Sequence, residues 1–122
     1  MILIIDDQAS FVEGLDEALS AHYTVLTALD GLEGYALARE FQPHAIVLDV
    51  GMPIVDGWTV LQKLRSNPTL SKVPVIVVTG MEREAAEQKA ERFQVSAVLH
   101  KPCALADVEA ALRAVLEADQ PE

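Results

Sequence analysis

Short aliphatic runs alternate along this sequence with longer segments whose apolar residues recur at helical spacing, and this alternation limits the fold more than any other feature. Most of the runs are continuously apolar, which is typical of parallel strands that are covered on both faces. The runs that we predict to be strands are Ile2–Ile5, Tyr23–Leu26, Ala45–Leu48, Val73–Val78 and Val95–Leu99.

Each predicted strand is followed by a predicted helix, so strand and helix alternate five times. This order predicts an α/β fold, in which a doubly wound (βα)5 sandwich holds a five-stranded parallel sheet in the flavodoxin-like order 2-1-3-4-5. The apolar positions of the five helices are Phe11, Leu15 and Leu19; Leu32, Tyr35, Ala36 and Leu37; Trp58, Leu61 and Leu64; Ala86, Ala90 and Phe93; and Leu105, Val108, Leu112, Val115 and Leu116.

Length and charge limit the classes of function that this chain can have. Its 122 residues are the size of one domain, which we place at 1–118, with 119–122 as a free tail or the stub of a linker. The net charge of −10 argues against direct binding of nucleic acid or of an anionic membrane surface. With Cys103 as its single cysteine and no signal peptide, the chain is expected to be cytoplasmic.

Polar residues end four of the five predicted strands. The first strand is followed by Asp6-Asp7, the third by Asp49, the fourth by Thr79-Gly80 and the fifth by Lys101-Pro102. In an open parallel sheet, ligands bind beyond the carboxyl ends of the strands. We therefore expect these side chains to meet in one pocket.

The residue types in that pocket suit phosphoryl transfer. Clustered carboxylates resist ionising together, and a hard divalent cation such as Mg²⁺ relieves their repulsion through oxygen ligands. An aspartate carboxylate can act as a covalent nucleophile toward phosphorus, and the transfer then needs mainly positioning and charge neutralisation. A threonine hydroxyl and a lysine ammonium are suitable donors to phosphoryl oxygens.

The ordered set of motifs resembles the receiver domain of bacterial response regulators over essentially the whole chain. Each motif is weak alone, but all of them in order at matching strand ends form a specific signal. The matching segments are Ile4-Ile5-Asp6-Asp7, Asp30-Gly31 with Glu33-Gly34, Leu48-Asp49-Val50-Gly51-Met52-Pro53 with Asp56-Gly57, Val78-Thr79-Gly80 and His100-Lys101-Pro102.

The resemblance implies a role for each pocket residue. Asp49 would be the phosphoacceptor. Mg²⁺ or Mn²⁺ would be bound by Asp49, by Asp7 directly, by Asp6 mainly through water and by the carbonyl of Gly51. Thr79 and Lys101 would bind phosphoryl oxygens, and the Lys101-Pro102 peptide bond would be cis.

The resemblance also implies partners. The donor would be the phosphohistidine of a histidine kinase or of a histidine phosphotransfer protein, and the signal would pass to a downstream effector domain or protein. A homodimer would form through the face of the fourth helix, fifth strand and fifth helix. The protein would not be an enzyme in the ordinary sense, because it would catalyse only its own phosphotransfer and its own slow dephosphorylation.

Two residues depart from the family pattern, and three other functions remain as alternatives. Val98 stands where the family usually has an aromatic switch residue, and Cys103 where phenylalanine often follows Lys-Pro. The alternatives are a docking module that works without phosphorylation, an Asp-nucleophile phosphohydrolase and a flavin-binding electron carrier. The hydrolase lacks a second catalytic Asp after Asp49, and the carrier would need a hydroxyl-rich phosphate loop where Asp6-Asp7 stands.

Overall fold

The computed structural model, which describes residues 1–52 and 55–118, contains one five-stranded parallel sheet in the order β2-β1-β3-β4-β5. The predicted fold class and strand order are therefore confirmed. Pro53 and the predicted tail at 119–122 lie outside the described residues. The elements are β1 (Ile2–Ile5), α1 (Ala9–Leu19), β2 (Val25–Ala28), α2 (Gly31–Phe41), β3 (Ala45–Asp49), α3 (Gly57–Ser66), β4 (Val75–Thr79), α4 (Arg83–Arg92), β5 (Ala97–His100) and α5 (Leu105–Ala118).

The three central strands are buried along their whole length, as their continuous apolar runs predict. Successive residues of these strands point to opposite faces of the sheet, so alternate residues belong to two separate cores. Helices α1 and α5 pack on one face of the sheet, and α2 and α3 pack on the other. The edge strands β2 and β5 are only partly buried over most of their residues.

Three strands begin two residues later than the aliphatic runs predict, at Val25, Val75 and Ala97. The first residues of these runs close the preceding turn instead of pairing with a neighbouring strand. The amides of Tyr23, Val73 and Val95 donate to carbonyls of Leu19, Leu70 and Ala90 at 2.9, 3.1 and 3.1 Å. Apolar character alone did not distinguish a turn that packs on the core from a strand.

Helices α2 and α4 bury small residues against the rest of the protein. The buried residues of α2 are Gly31, Gly34 and Ala38, whereas Leu32 is 62% exposed. In α4 the buried residues are the small side chains Ala86 and Ala90.

No helix within 1–52 or 55–118 is long and apolar enough to cross a membrane.

Helix α3 begins directly against the end of β3, and Gly57 makes this approach possible. A Cβ atom at Gly57 would lie 2.4 Å from the carbonyl oxygen of Asp49 and 2.4 Å from the Cα of Val50. Both atoms belong to the backbone, so neither can move aside cheaply. The N-terminus of α3 therefore fixes the segment that carries Asp49.

We predict that Gly57→Ala lowers the free energy of unfolding by about 1–3 kcal/mol, the usual range for an overpacked site. Gly80→Ala is the matched control, because a Cβ there meets no atom within 4 Å. Urea unfolding of both variants measures the difference. Equal stabilities would contradict the close contact between α3 and β3.

Candidate functional site

The predicted site residues converge at the carboxyl edge of the sheet. Asp6 follows β1, Asp49 ends β3, Thr79 ends β4 and Lys101 follows β5. Because β1, β3, β4 and β5 are successive strands of the sheet, their ends form one continuous row. The strand ends are therefore grouped as the sequence predicts, and Lys101 contacts both Asp6 and Asp49.

Three carboxylates form the centre of this site. Each of Asp6, Asp7 and Asp49 offers an oxygen, and these oxygens all lie within 4.8 Å of one another. Asp6 is 1% exposed and Asp49 is 6% exposed, whereas Asp7 is exposed. Carboxylates at this spacing fit a hard divalent cation, since oxygen ligands from several groups share one small volume.

The pKa of the Asp49 carboxyl is raised above its ordinary value, chiefly by burial. The negative charges of Asp6 and Asp7 raise this pKa further. The backbone N–H of Gly51, which donates to Asp49 Oδ1 at 2.9 Å, and the charge of Lys101 both oppose the increase. A cation bound among the three carboxylates would lower the pKa of Asp49 again, because its positive charge favours the ionised form of the carboxyl group.

Lys101 lies across the site and contacts both sides of it. Its Nζ donates to Asp6 Oδ2 at 2.8 Å and to Gln8 Oε1 at 2.6 Å, and it lies 3.6 Å from Asp49 Oδ2. The ammonium also lies 4.9 Å from the centre of the Phe11 ring. The predicted cis peptide bond between Lys101 and Pro102 is present.

Gln8 and Phe11 also contact Lys101, a role that the sequence did not indicate for either residue, since Phe11 was predicted only as an apolar position of the first helix. Gln8 is the N-cap residue of α1, yet its side chain makes no cap hydrogen bond and instead accepts from Lys101. The backbone N–H of Gln8 donates to Asp6 Oδ1 at 2.9 Å. The turn after β1 thus positions both Asp6 and Lys101. Lys101 is 95 residues from Asp6 and 93 residues from Gln8 in the sequence, so no local pattern shows these contacts.

Thr79 is completely buried, and its hydroxyl connects the sheet to the loop that leads into α4. The backbone N–H of Met81 donates to Thr79 Oγ1 at 3.0 Å. A threonine hydroxyl also has a proton of its own, which leaves it able to donate to an acceptor in the pocket. Next to it, a Cβ at Gly80 would meet no atom within 4 Å, so this part of the rim is open.

Within 1–52 and 55–118, the group of potential metal ligands contains carboxylates only. His22 and His44 are exposed at the amino edge of the sheet. The pKa of the partly buried Cys103 thiol is raised, mainly by burial, which lowers the reactivity of this thiol. Gly51 donates its N–H to Asp49, while the metal-binding role of its carbonyl stays a prediction.

Comparisons with known proteins agree on one family. Residues 2–113 match the family model of the response regulator receiver domain. The chain is 37% identical over 102 residues to response regulator PleD of Caulobacter vibrioides, and 37% identical over 118 residues to the DNA-binding dual master transcriptional regulator RpaA of Synechocystis. These alignments cover 83% and 94% of this chain but only 22% and 48% of the relatives.

A solved structure shows the same fold. The chemotaxis protein CheY4 of Vibrio cholerae superimposes with a TM-score of 0.87 at 26% sequence identity. The superposition covers 93% of this chain and 96% of that one.

We predict that in metal-free buffer Asp49→Asn is more stable than the parent at pH 7, and that this gain disappears toward pH 3. The folded state holds the Asp49 proton more tightly than the unfolded state, so the parent loses stability as the pH rises from the ordinary aspartate pKa of 3.8 through the raised pKa of the folded state. Chemical unfolding with a chelator present, at a series of pH values, measures the difference.

Glu17→Gln on the exposed side of α1 is the control for this measurement, because that side chain stays in water in both states. Its stability relative to the parent should change little across the same range. A stability difference between Asp49→Asn and the parent that does not vary with pH would contradict the raised pKa.

Proposed function

We propose, from the premise that this chain belongs to the response regulator receiver domain family, that it accepts a phosphoryl group on Asp49 in a reaction that depends on Mg²⁺ or Mn²⁺. The donor would be the phosphohistidine of a histidine kinase or of a histidine phosphotransfer protein. The observation that carries this proposal is the buried Asp49 carboxylate, grouped with Asp6 and Asp7 and facing Lys101 at 3.6 Å.

Asp49 is the carboxylate best suited to accept the group. Both oxygens of Asp6 already accept hydrogen bonds, from Gln8 and from Lys101. Asp7 is exposed, so its carboxylate is well hydrated. Asp49 Oδ1 accepts a hydrogen bond from the Gly51 N–H, while Asp49 Oδ2 lies beyond hydrogen-bond distance of Lys101 Nζ. One oxygen of Asp49 is thus held in place while the other is available.

The three carboxylates support a metal site with Asp7, Asp49 and the Gly51 carbonyl as direct ligands and Asp6 acting mainly through water. The ion, when bound, would offset their mutual repulsion and the charge of the incoming phosphoryl group. Asp49 would form a bond to phosphorus as the bond from phosphorus to the donor imidazole nitrogen breaks, and that nitrogen would keep the electron pair and take a proton. Lys101 and Thr79 would donate to the phosphoryl oxygens.

The output would be carried by the loop after β4 and the start of α4, at 80–84. Thr79 is tied to that loop through Met81, so a turn of its hydroxyl toward the phosphoryl group would disturb the loop directly. Val98, which stands at the usual switch position, is too short to fill space that Thr79 leaves, and β-branching restricts its χ1 angle. The charged run Glu82-Arg83-Glu84 offers a partner an exposed surface.

The wider assignment follows from the same premise. We place the receiver domain at 1–118 and expect a cytoplasmic protein that signals to a downstream effector domain or protein without binding nucleic acid itself. A homodimer would use the face of α4, β5 and α5. Membership in the receiver family disfavours the hydrolase and the flavin carrier, while the docking module that ignores phosphorylation is tested by the first experiment below.

We predict that acetyl phosphate with Mg²⁺ adds the mass of one phosphoryl group to the parent and none to Asp49→Asn, as measured by intact mass spectrometry. Asp56→Asn is the matched control, since Asp56 is an exposed N-cap and asparagine caps a helix equally well. Phosphorylation of Asp49→Asn would place the acceptor elsewhere, and an unmodified parent would favour the docking module.

We predict that Asp7→Ala lowers the affinity for Mg²⁺ by at least about tenfold, since losing even an outer-shell partner typically costs that much. Calorimetric titration of the unphosphorylated protein measures this without any transfer step. The same variant should be more stable than the parent in chelator, because a like charge is removed. Glu17→Ala controls for net charge, and an Asp7→Ala affinity equal to that of the control would rule out Asp7 as a ligand.

We predict that the phosphorylated protein loses its phosphoryl group slowly without a partner. In similar proteins the residues two after the acceptor and two after the threonine line the path of the attacking water, and here these are Gly51 and Met81. Neither side chain can orient water by hydrogen bonding. Intact mass after donor removal follows the decay. Gly51→Asn or Met81→Glu should change the rate, and a half-life of only seconds in the parent would contradict the prediction.

A further inference from the structure

His100 carries an unmet hydrogen-bonding group beside the functional site. Its Nε2 is buried without a partner, a condition found at no other side-chain nitrogen or oxygen within 1–52 and 55–118. The side chain is 17% exposed, so the ring is largely removed from water. A buried polar atom that lacks a partner costs free energy, and that cost falls when the ring finds an acceptor.

His100 is the lateral neighbour of Thr79. The two residues are register partners in the parallel pairing of β4 with β5. Adjacent strands lie about 5 Å apart, and register partners point to the same face of the sheet. Val77 and Val98 are also register partners, and each lies two residues before Thr79 or His100, so these side chains share one face of the sheet. That face carries the core beneath α2 and α3, and Met81 and Phe93 pack at its border. A displacement of Thr79 therefore changes the space available to the His100 ring.

An acceptor for that ring lies just beyond bonding distance on α4. Glu87 Oε1 is 3.9 Å from His100 Nε2 and 3.9 Å from a guanidinium nitrogen of Arg83. The Glu87 side chain is 56% exposed, which leaves it free to move. A shift of about 1 Å would bring the ring and this carboxylate within hydrogen-bond distance.

Side-chain hydrogen bonds from another helix hold the segment just after the C-terminal end of α4. Arg65 of α3 donates to the carbonyls of Phe93 and Gln94, at 2.8 and 3.3 Å, just after the helix ends. The near end follows Met81, whose N–H is bound to Thr79. Between these points the helix buries only alanine side chains, Ala86 and Ala90. Such a helix can tilt about its C-terminal end without opening a large void.

We propose that His100 couples the phosphorylation site to α4, by donating from Nε2 to Glu87 when Thr79 turns toward the phosphoryl group. The inference rests on the proposed function of Asp49 and names the contact that transmits its signal. The tautomer with a proton on Nε2 makes the required donor. The new hydrogen bond satisfies the buried nitrogen and draws the middle of α4 toward β5, while Arg65 holds the other end.

The test is hydrogen exchange of the full chain with Mg²⁺, with and without beryllofluoride, a mimic of the phosphoryl group. The variants are His100→Phe, Glu87→Ala and the double variant, with His100→Gln to restore a donor of similar reach. Alanine at position 87 removes the acceptor, whereas glutamine would keep one. Glu91→Ala is the matched control, since it makes the same change at another exposed position of the same helix. Fluorine NMR reports separately whether beryllofluoride binds.

We expect beryllofluoride to change protection at 83–92 in the parent, in Glu91→Ala and in His100→Gln. His100→Phe and Glu87→Ala should each lose most of that change, and the double variant should lose no more than either alone, because both remove one contact. Glu87→Ala tests the contact even where a core substitution at His100 prevents folding.

Failure of the proposed function and failure of the His100 contact give different results in this experiment. If beryllofluoride does not bind the parent, the proposed function fails and this inference fails with it. If beryllofluoride binds every variant while protection at 83–92 changes as in the parent, or if the two single losses add in the double variant, the His100 contact is overturned and the proposed function stands.

Discussion

Repulsion among three carboxylates at the edge of a buried sheet is the constraint on which the rest of this site depends. Asp6, Asp7 and Asp49 bring oxygens within 4.8 Å of one another, and two of the three are buried. Lys101 lies between Asp6 and Asp49, but one ammonium cannot balance three negative charges. Burial is the main cause of the raised pKa of Asp49, and the charges of Asp6 and Asp7 raise that pKa further, so added positive charge is strongly favoured at this site.

The sheet supplies the rigidity that holds these charges together. Residues of β1, β3 and β4 are buried throughout, so the apolar strands fix the positions of the polar residues that follow them. Helix α3 approaches so closely at Gly57 that the segment after Asp49 has little freedom. The unfavourable grouping of like charges persists because the packing of many aliphatic side chains outweighs it.

The sequence predicted the strand ends better than the strand beginnings, for a physical reason. Four of the five strands end where an aliphatic run meets a residue that needs water, a ligand or a counter-charge, such as Asp6 or Asp49, whereas β2 ends at Ala28 before the apolar Leu29. At the beginnings, Val73 and Val95 are apolar and still bond to the preceding turn, so composition does not mark the boundary. Gln8 and the buried nitrogen of His100 were missed because their significance lies in neighbours brought close only by folding.

Under the proposed function, a change at the site would spread from Thr79, because its contacts lead in two directions. Through its hydroxyl it holds Met81 and the loop before α4, and across the sheet it lies beside His100. An oxygen that turns toward the pocket cannot keep its present geometry with the Met81 amide. Both routes lead to α4, which buries little and is pinned beyond its C-terminus by Arg65. A helix that buries only small side chains thus lies next to Thr79, and under the proposed function a small local displacement there would become a movement of exposed charged surface without disturbing the core.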